Sequence, residues 1–227
     1  MSSTISSAST PVASQEEQRE YRRPSAWCTS AGKRLFDVVF ATMSLIVSFP
    51  LLLLASIAVL TSPGPLFFSS GRVGQRGKPI RVLKFRTMRH RKELGVQLTR
   101  RGDDRITPVG RFLRKWKIDE LPQFLNVLRG DMSLIGPRPD SAEFLETLPA
   151  GARSTLQSIK PGITSVATML FRNEEEVLRQ VPESEMTSHY VHSLLPQKIS
   201  LDLDYAARAT FSSDLNLLLK TALAIVR

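Results

Sequence analysis

The sequence predicts an α+β fold, mostly helical, in which a re-entrant membrane helix hairpin precedes a small cytosolic domain with a short β-hairpin and interfacial helices. Three observations support this prediction. An uncharged apolar run covers residues 38–60. Short apolar stretches punctuated by glycine follow it, a pattern typical of a β-hairpin. The remaining chain places apolar residues at helical spacing between turns that contain proline or glycine.

The apolar run is long enough to cross a bilayer, because a helix of this length extends about 35 Å. Pro50 divides the run, since proline removes one helix hydrogen bond and clashes with the preceding turn. Basic residues flank the run on both sides, and positive flanks prefer the cytoplasmic side. A helix that enters the bilayer, bends at Pro50 and returns keeps both flanks inside, so we predict a re-entrant hairpin over residues 31–62. A kinked spanning helix and a buried core helix are the alternatives.

Residues 1–30 are rich in Ser, Thr and charged side chains and contain few large apolar ones, which predicts a disordered tail. Residues 63–227 form the predicted cytosolic domain, which associates with the membrane. Within this domain a strand is expected over residues 80–85. Thr107-Pro108 is typical of a helix start, and the helix that follows Asp119 is expected to end at Gly130.

The net charge of +10 is concentrated in one segment, because residues 71–129 contain 17 Lys and Arg against 5 Asp and Glu. Such a segment attracts phosphates of nucleic acids, nucleotides or anionic lipids. The single cysteine, Cys28, excludes an internal disulfide, in agreement with a cytosolic location. The three histidines form no metal-binding motif, which argues against a zinc site.

Asp119 and Glu120 form an adjacent pair of acids inside this basic segment. Pro122 belongs to the first turn of the next helix, so Asp119 is expected at the N-terminus of that helix. The helix dipole and the basic side chains among residues 111–117 are expected to favour the ionised form of Asp119. An ionised carboxylate serves as a nucleophile or a metal ligand. An acidic pair that only caps the helix is the alternative.

Two further groups of basic residues are candidates for binding an anion. Arg138 lies between two prolines, in Gly136-Pro137-Arg138-Pro139, so its guanidinium is presented on a stiff backbone and can bind phosphate through two hydrogen bonds. Lys84 and Arg86 alternate with apolar residues and are expected on one face of a strand, directed at a common anion. A solvated surface is the alternative for both groups.

Several motifs in the same order together resemble a known family. They cover residues 33–37, 64–68, 72–74, 84–88, 119–123, 126–139 and 160–164. The chain from Lys33 to its C-terminus resembles the bacterial sugar transferases, which are monotopic phosphoglycosyl transferases that act on polyprenyl phosphate. It departs from their pattern at Ser70 and Ser165, where glutamine and glycine are usual, and this region is expected to line the donor pocket.

The resemblance implies transfer of a sugar 1-phosphate from a nucleotide-diphosphate sugar, expected to be a UDP-sugar, to undecaprenyl phosphate. It implies a covalent intermediate on Asp119, Mg²⁺ bound by Glu120, and phosphates held by Lys84, Arg114 and Arg138. It also implies that the catalytic domain lies on the cytoplasmic face of the bacterial inner membrane, in contact with lipid. Such a reaction is the first membrane step in assembling exopolysaccharide, O-antigen, capsule or glycoprotein glycans.

Two other functions are weighed against this one. A membrane-tethered nucleic-acid binder would suit the charge, but the basic segment lacks a recognisable nucleic-acid-reading motif, so we expect no nucleic-acid partner. An inactive relative that acts as a membrane scaffold is disfavoured by the intact Asp119-Glu120 pair.

Overall fold

The computed structural model describes residues 21–89, 103–182 and 184–226. In chain order the helices and strands are α1 (Ala31–Leu60), β1 (Phe67–Val73), β2 (Pro79–Phe85), α2 (Pro108–Lys115), α3 (Gln123–Arg129), β3 (Ser133–Ile135), α4 (Ala142–Glu146), α5 (Ala150–Gln157), β4 (Gly162–Thr164), α6 (Val166–Leu170), α7 (Glu174–Arg179), α8 (Met186–His189), α9 (Leu195–Arg208) and α10 (Phe211–Val226). The predicted class, α+β and mostly helical, is confirmed. Short 3₁₀ turns cover Ala26–Thr29, Gln75–Gly77 and Ile118–Glu120, and a π-helical turn covers Tyr190–Leu194.

Helix α1 is long and apolar enough to cross a membrane, by length and composition. Ser30 caps its start by accepting a hydrogen bond from the Lys33 backbone nitrogen at 3.0 Å. The predicted pair of half-helices broken at Pro50 is not found, because the helix continues through this proline. A proline removes one hydrogen bond of the helix and leaves those of the neighbouring turns in place, so helix can persist on both sides of it.

Both ends of α1 pack against the same domain. Phe36 and Ala41, near its start, join a core with Val127 of α3. Ala55 and Val59, near its end, join a second core that contains residues of β2 and α2. Between these ends the large apolar side chains are exposed, and six of them show more than half of their surface: Met43, Ile46, Val47, Phe49, Leu53 and Leu54. The apolar middle of α1 is therefore the part that the protein itself does not cover.

The predicted β-hairpin is confirmed. Strands β1 and β2 pair antiparallel, with Phe67 opposite Phe85 and Val73 opposite Pro79. The predicted helix start is also confirmed, since the Thr107 hydroxyl accepts a hydrogen bond from the Gly110 nitrogen at 2.9 Å. Helix α3 ends at Arg129, and Gly130 caps it with a φ of 88°, which suits glycine.

A second, parallel pair of short strands joins two of the motifs found in the sequence. β3 pairs with β4, with Ser133 opposite Gly162 and Ile135 opposite Thr164. Gly136 and Gly162 approach each other so closely that a Cβ on either would collide with backbone. This pairing places the loop of residues 136–139 at the edge of the domain core.

The prediction of a disordered tail is wrong for residues 25–30. Residues 1–20 lie outside the described part of the chain, but residues 25–30 pack against the domain. The Ser25 nitrogen donates to the Ala206 carbonyl at 2.8 Å, and Trp27 Nε1 donates to Asp214 at 2.9 Å. The large apolar ring of Trp27 gives this segment enough buried surface to be held in place.

Candidate active site

Asp119 and Glu120 lie in the tight turn that connects α2 to α3. Lys117 reverses the chain with a left-handed φ of 55°, and the 3₁₀ turn Ile118–Glu120 follows. Ile118 is buried in the core formed with the end of α1, and it anchors the turn. Asp119 is consequently only 5% exposed, while Glu120 is less deeply buried.

Glu120 forms an ion pair with Lys84, whose Nζ lies 2.8 Å from its Oε1. Burial disfavours the ionised form of Glu120, but the positive charges of Lys84, Lys117 and Arg138 outweigh it and hold the pKa of Glu120 at about 2. Glu120 is therefore an anion at any physiological pH. The structure thus brings β2, the 118–120 turn and the Arg138 loop to one place.

The pKa of Asp119 is shifted in the opposite direction from that of Glu120. Its Oδ1 is buried and has no hydrogen-bond partner among the described residues. Burial and the adjacent charge of Glu120 raise the pKa of Asp119, against the effect of Lys84, Lys117 and Arg114. The expectation that its surroundings favour the ionised form is therefore wrong. The basic residues counted for it include Arg111 and Lys115, which are exposed to solvent, and desolvation of the carboxylate dominates.

Arg138 lies at the open side of this cluster and is exposed to solvent. Partial desolvation opposes its charge, but the carboxylates of Glu174, Glu120 and Asp140 outweigh it and raise the pKa of Arg138 above its ordinary value. Its backbone nitrogen donates to Asp202 Oδ2 at 3.2 Å, which fixes the loop. The guanidinium is therefore a permanent cation close to Glu120.

Arg86 does not point to a common anion with Lys84, although the sequence predicts this. Its guanidinium donates to the carbonyls of Val59 at 3.2 Å and Ser62 at 2.7 Å, and to that of Pro63. These acceptors are at the C-terminal end of α1, where a cation offsets the partial negative charge of the helix. Arg86 therefore ties the β-hairpin to the membrane helix, and it does not join Lys84 at a common anion.

Sequence reasoning missed a buried polar network beneath the Arg138 loop. Lys198 of α9 lies 2.6 Å from Glu174 of α7 and donates to the Tyr190 hydroxyl at 3.3 Å. Burial raises the pKa of Asp202 to about 7, against the hydrogen bonds that it accepts. Lys198 and Asp202 are four residues apart on one helix, so a charged pair on an otherwise apolar helix face was the available signal.

The site can hold magnesium only with help from a substrate. Among the described residues no group of three or more His, Cys, Asp and Glu side chains could bind a metal. Mg²⁺, however, is usually held by one or two carboxylates together with substrate phosphates. Glu120 supplies one anionic carboxylate, and the unpartnered Oδ1 of Asp119 is adjacent to it. The residues present therefore fit a Mg²⁺ ion that the phosphates of a donor complete.

Comparison with known proteins matches residues 28–227 to the family described as Bacterial sugar transferase. The UDP-glucose:undecaprenyl-phosphate glucose-1-phosphate transferase of Caulobacter vibrioides is 41% identical over 197 residues, which cover 83% of this chain and 67% of the relative. The protein of the same name in Escherichia coli is 41% identical over 155 residues, 66% of this chain and 33% of the relative. An exopolysaccharide production protein of Sinorhizobium fredii is 35% identical over 178 residues, 71% of this chain and 77% of the relative.

The family match includes every element that forms the acidic turn and the Arg138 loop. The chain spans about two thirds of the Caulobacter relative and one third of the Escherichia relative. Because the family match covers residues 28–227, nearly the whole chain, we conclude that the chain belongs to the bacterial sugar transferase family.

Proposed function

We propose that the protein transfers a sugar 1-phosphate from a UDP-sugar to undecaprenyl phosphate, as the first membrane step in assembling a surface glycan such as exopolysaccharide, O-antigen, capsule or a glycoprotein glycan. The observation that carries this proposal is the buried carboxylate of Asp119, which has no hydrogen-bond partner among the described residues and lies beside an anionic Glu120 in a ring of cations. A buried acid without a hydrogen-bond partner destabilises the fold, which supports a chemical role for Asp119. The names of the relatives supply the substrate classes.

The reaction proceeds in two displacements at the phosphorus that carries the sugar. Asp119 attacks this phosphorus, an O–P bond forms, and the bond to the bridging oxygen breaks, so UMP leaves with that oxygen. An oxygen of undecaprenyl phosphate then attacks the same phosphorus, and the bond to Asp119 breaks. The product is a sugar attached to undecaprenyl diphosphate, and the carboxylate is regenerated.

The neighbouring residues support both displacements. Lys84, Arg114 and Arg138 bind the phosphate oxygens, and their charges offset the negative charge that gathers when a carboxylate meets a diphosphate. Glu120 would hold a Mg²⁺ ion together with those phosphates, and the ion supplies further charge neutralisation. Lys84 is already held close to Asp119 by its ion pair with Glu120.

Nucleotide release from donor alone tests the mechanism. Full-length protein with Mg²⁺ and each member of a panel of UDP-sugars should release UMP before any acceptor is added, up to the amount of enzyme. Mass spectrometry should find the sugar phosphate on the peptide that contains Asp119. UMP release only after adding undecaprenyl phosphate would indicate direct attack by the acceptor, and no release with any donor would favour an inactive scaffold.

We further propose that α1 is re-entrant and that the domain lies on the cytoplasmic face of the bacterial inner membrane. A spanning helix separates its ends by the roughly 30 Å thickness of the hydrocarbon core. One folded domain could not then touch both ends, yet Phe36 near the start and Val59 near the end pack against it. The exposed apolar middle is left to contact lipid.

Cysteine labelling tests this topology. In a Cys28→Ser background, Ala31→Cys and Thr61→Cys place single exposed thiols at the two ends of α1. A membrane-impermeant maleimide added to intact spheroplasts should label neither, and both should react after lysis. Labelling of one end in intact spheroplasts would demonstrate a spanning helix.

A further inference from the structure

A cavity of about 300 Å³ lies at the start of α1. Its lining includes Lys33, Arg34 and Asp37 of α1, Arg76 of the turn between β1 and β2, Ser133 of β3, and Lys160. Its volume is at the lower end of the roughly 300–1,000 Å³ that is typical of small-molecule sites. None of the residues proposed for catalysis lines it.

The lining is strongly basic. Four of its residues are cations and one, Asp37, is an anion. Lys33 is neutralised by ion pairs to Asp37 at 3.1 Å and to Asp214 at 2.9 Å. Arg34, Arg76 and Lys160 form no ion pair with any residue in the described part of the chain. The cavity therefore carries about three positive charges that lack a direct counter-ion.

Two of these cations converge on the end of α3. Arg34 donates to the carbonyls of Val127 at 2.6 Å and Leu128 at 2.8 Å. A Cβ placed on Gly130 would lie 3.8 Å from Arg34 Nη2 and 3.6 Å from Lys160 Nζ. Two like charges held around one backbone position repel each other, and a bound anion would relieve that repulsion.

The lowered pKa of Lys160 agrees with the lack of a direct counter-ion among the described residues. Burial and the nearby charge of Arg34 lower the pKa of Lys160, and Lys33 acts in the same direction. Asp37 and Asp131 oppose this shift, but neither lies within ion-pair distance of Lys160. The side chain makes no hydrogen bond to a described residue, so its donors are available to a ligand.

The position of the cavity indicates where such an anion comes from. Leu35, on the turn of α1 that lines the cavity, is 66% exposed, and the uncovered apolar face begins there. The cavity therefore adjoins the part of the helix that meets lipid. It lies at the C-terminal end of α3, whereas Asp119 precedes the N-terminal end, about 10 Å away along the helix.

We propose that this cavity is a second anion site, separate from the catalytic cluster, in which Arg34, Arg76 and Lys160 bind a phosphate group at the membrane surface. Arginine and lysine are the usual ligands of phosphate, and a basic pocket beside a membrane helix binds anionic lipid headgroups. The same chemistry accepts a phosphodiester of a lipid headgroup or soluble inorganic phosphate, and the experiment separates these two sources.

The test uses detergent-solubilised full-length protein titrated with short-chain phosphatidylglycerol, inorganic phosphate or zwitterionic short-chain phosphatidylcholine. Lys160→Gln and Arg76→Gln should each weaken binding of the anionic ligand about fivefold. Lys78→Gln is the matched control, because Lys78 lies in the same hairpin connection, is exposed and does not line the cavity. Asp119→Asn should leave this binding unchanged, which keeps the test independent of the proposed catalysis.

A site-specific measurement accompanies the titration. Amine acylation followed by peptide mass spectrometry should show Lys160 protected by the ligand and Lys78 unprotected. Protection by phosphatidylglycerol alone assigns the site to a lipid headgroup, and equal protection by inorganic phosphate assigns it to a soluble anion. Lack of protection at Lys160 by either ligand, or a loss in Lys160→Gln no larger than in Lys78→Gln, would overturn the proposal.

Discussion

Two buried clusters of charged residues in this protein differ in how many hydrogen bonds their carboxylates accept. At the base of α1, Asp37 Oδ1 accepts hydrogen bonds from Lys33 at 3.1 Å, from the Ser133 hydroxyl at 3.0 Å and from the Leu134 nitrogen at 3.1 Å. In the turn between α2 and α3, the Oδ1 of Asp119 is equally inaccessible to solvent and has no such partner in the described structure.

The second carboxylate of the base cluster is also satisfied. Asp214 accepts from Trp27 at 2.9 Å and from the Tyr205 hydroxyl at 2.8 Å, and it pairs with Lys33. This cluster joins the N-terminal segment, α1 and α10. A fully bonded group of buried charges holds these segments in register, whereas a buried carboxylate left unsatisfied near cations is prepared to react. The base cluster is thus structural, whereas we propose a chemical role for the Asp119 cluster.

The largest effect is expected for Asp119→Asn. The amide keeps the shape but is a poor nucleophile, so UMP release should fall by about a thousandfold or more. The unfolding temperature should stay the same or rise, because the change removes a buried charge without a partner. Asp204→Asn, an exposed change on α9, serves as the control for both measurements. Near-normal turnover of Asp119→Asn would show that Asp119 only shapes the turn and is not the nucleophile.

A smaller effect, on stability, is expected for Asp37→Asn. Removing this charge leaves the buried Lys33 with Asp214 as its only ion-pair partner among the described residues, and it weakens the hydrogen bonds from β3. The free energy of unfolding should therefore fall by about 3 kcal/mol. Chemical denaturation in detergent measures the loss, and Asp204→Asn should change stability by less than about 0.5 kcal/mol. Protein that stays folded should retain its turnover per molecule. Unchanged stability would show that the base cluster does not hold α1.

The smallest effect is a shift of the pH profile. Burial and Glu120 raise the pKa of Asp119 above its ordinary value of 3.8, so nucleophilic activity is present above the raised pKa and lost as pH falls through it. The pKa of Glu120 is held at about 2, so Glu120 stays ionised across this range. The rate of UMP release from donor alone should therefore decline at a pH above 3.8. A rate that is constant down to pH 4 would contradict the raised pKa.

Local patterns predicted several of the helices and strands well, while the roles of the site residues stay predictions. The hairpin of residues 67–85, the Thr107 cap and the end of α3 beside Gly130 depend on neighbouring residues, and all are confirmed. Lys84 and Glu120 carry opposite charges and form an ion pair. The family resemblance assigned phosphate binding to Lys84 and Mg²⁺ binding to Glu120. An interruption of the helix at Pro50 is not found, because one missing hydrogen bond does not end a helix, while the re-entrant path of α1 stays a prediction.

By itself, the sequence determined the apolar helix, the basic segment and the acidic pair within it, since these features are properties of adjacent residues. Tertiary structure decided the direction of the Asp119 pKa, the use of Arg86 at the end of α1 and the support of the Arg138 loop by Asp202. Each of these depends on burial or on a partner more than 20 residues away along the chain. Desolvation and long-range hydrogen bonds exist only after the chain has packed, so no local pattern could specify them.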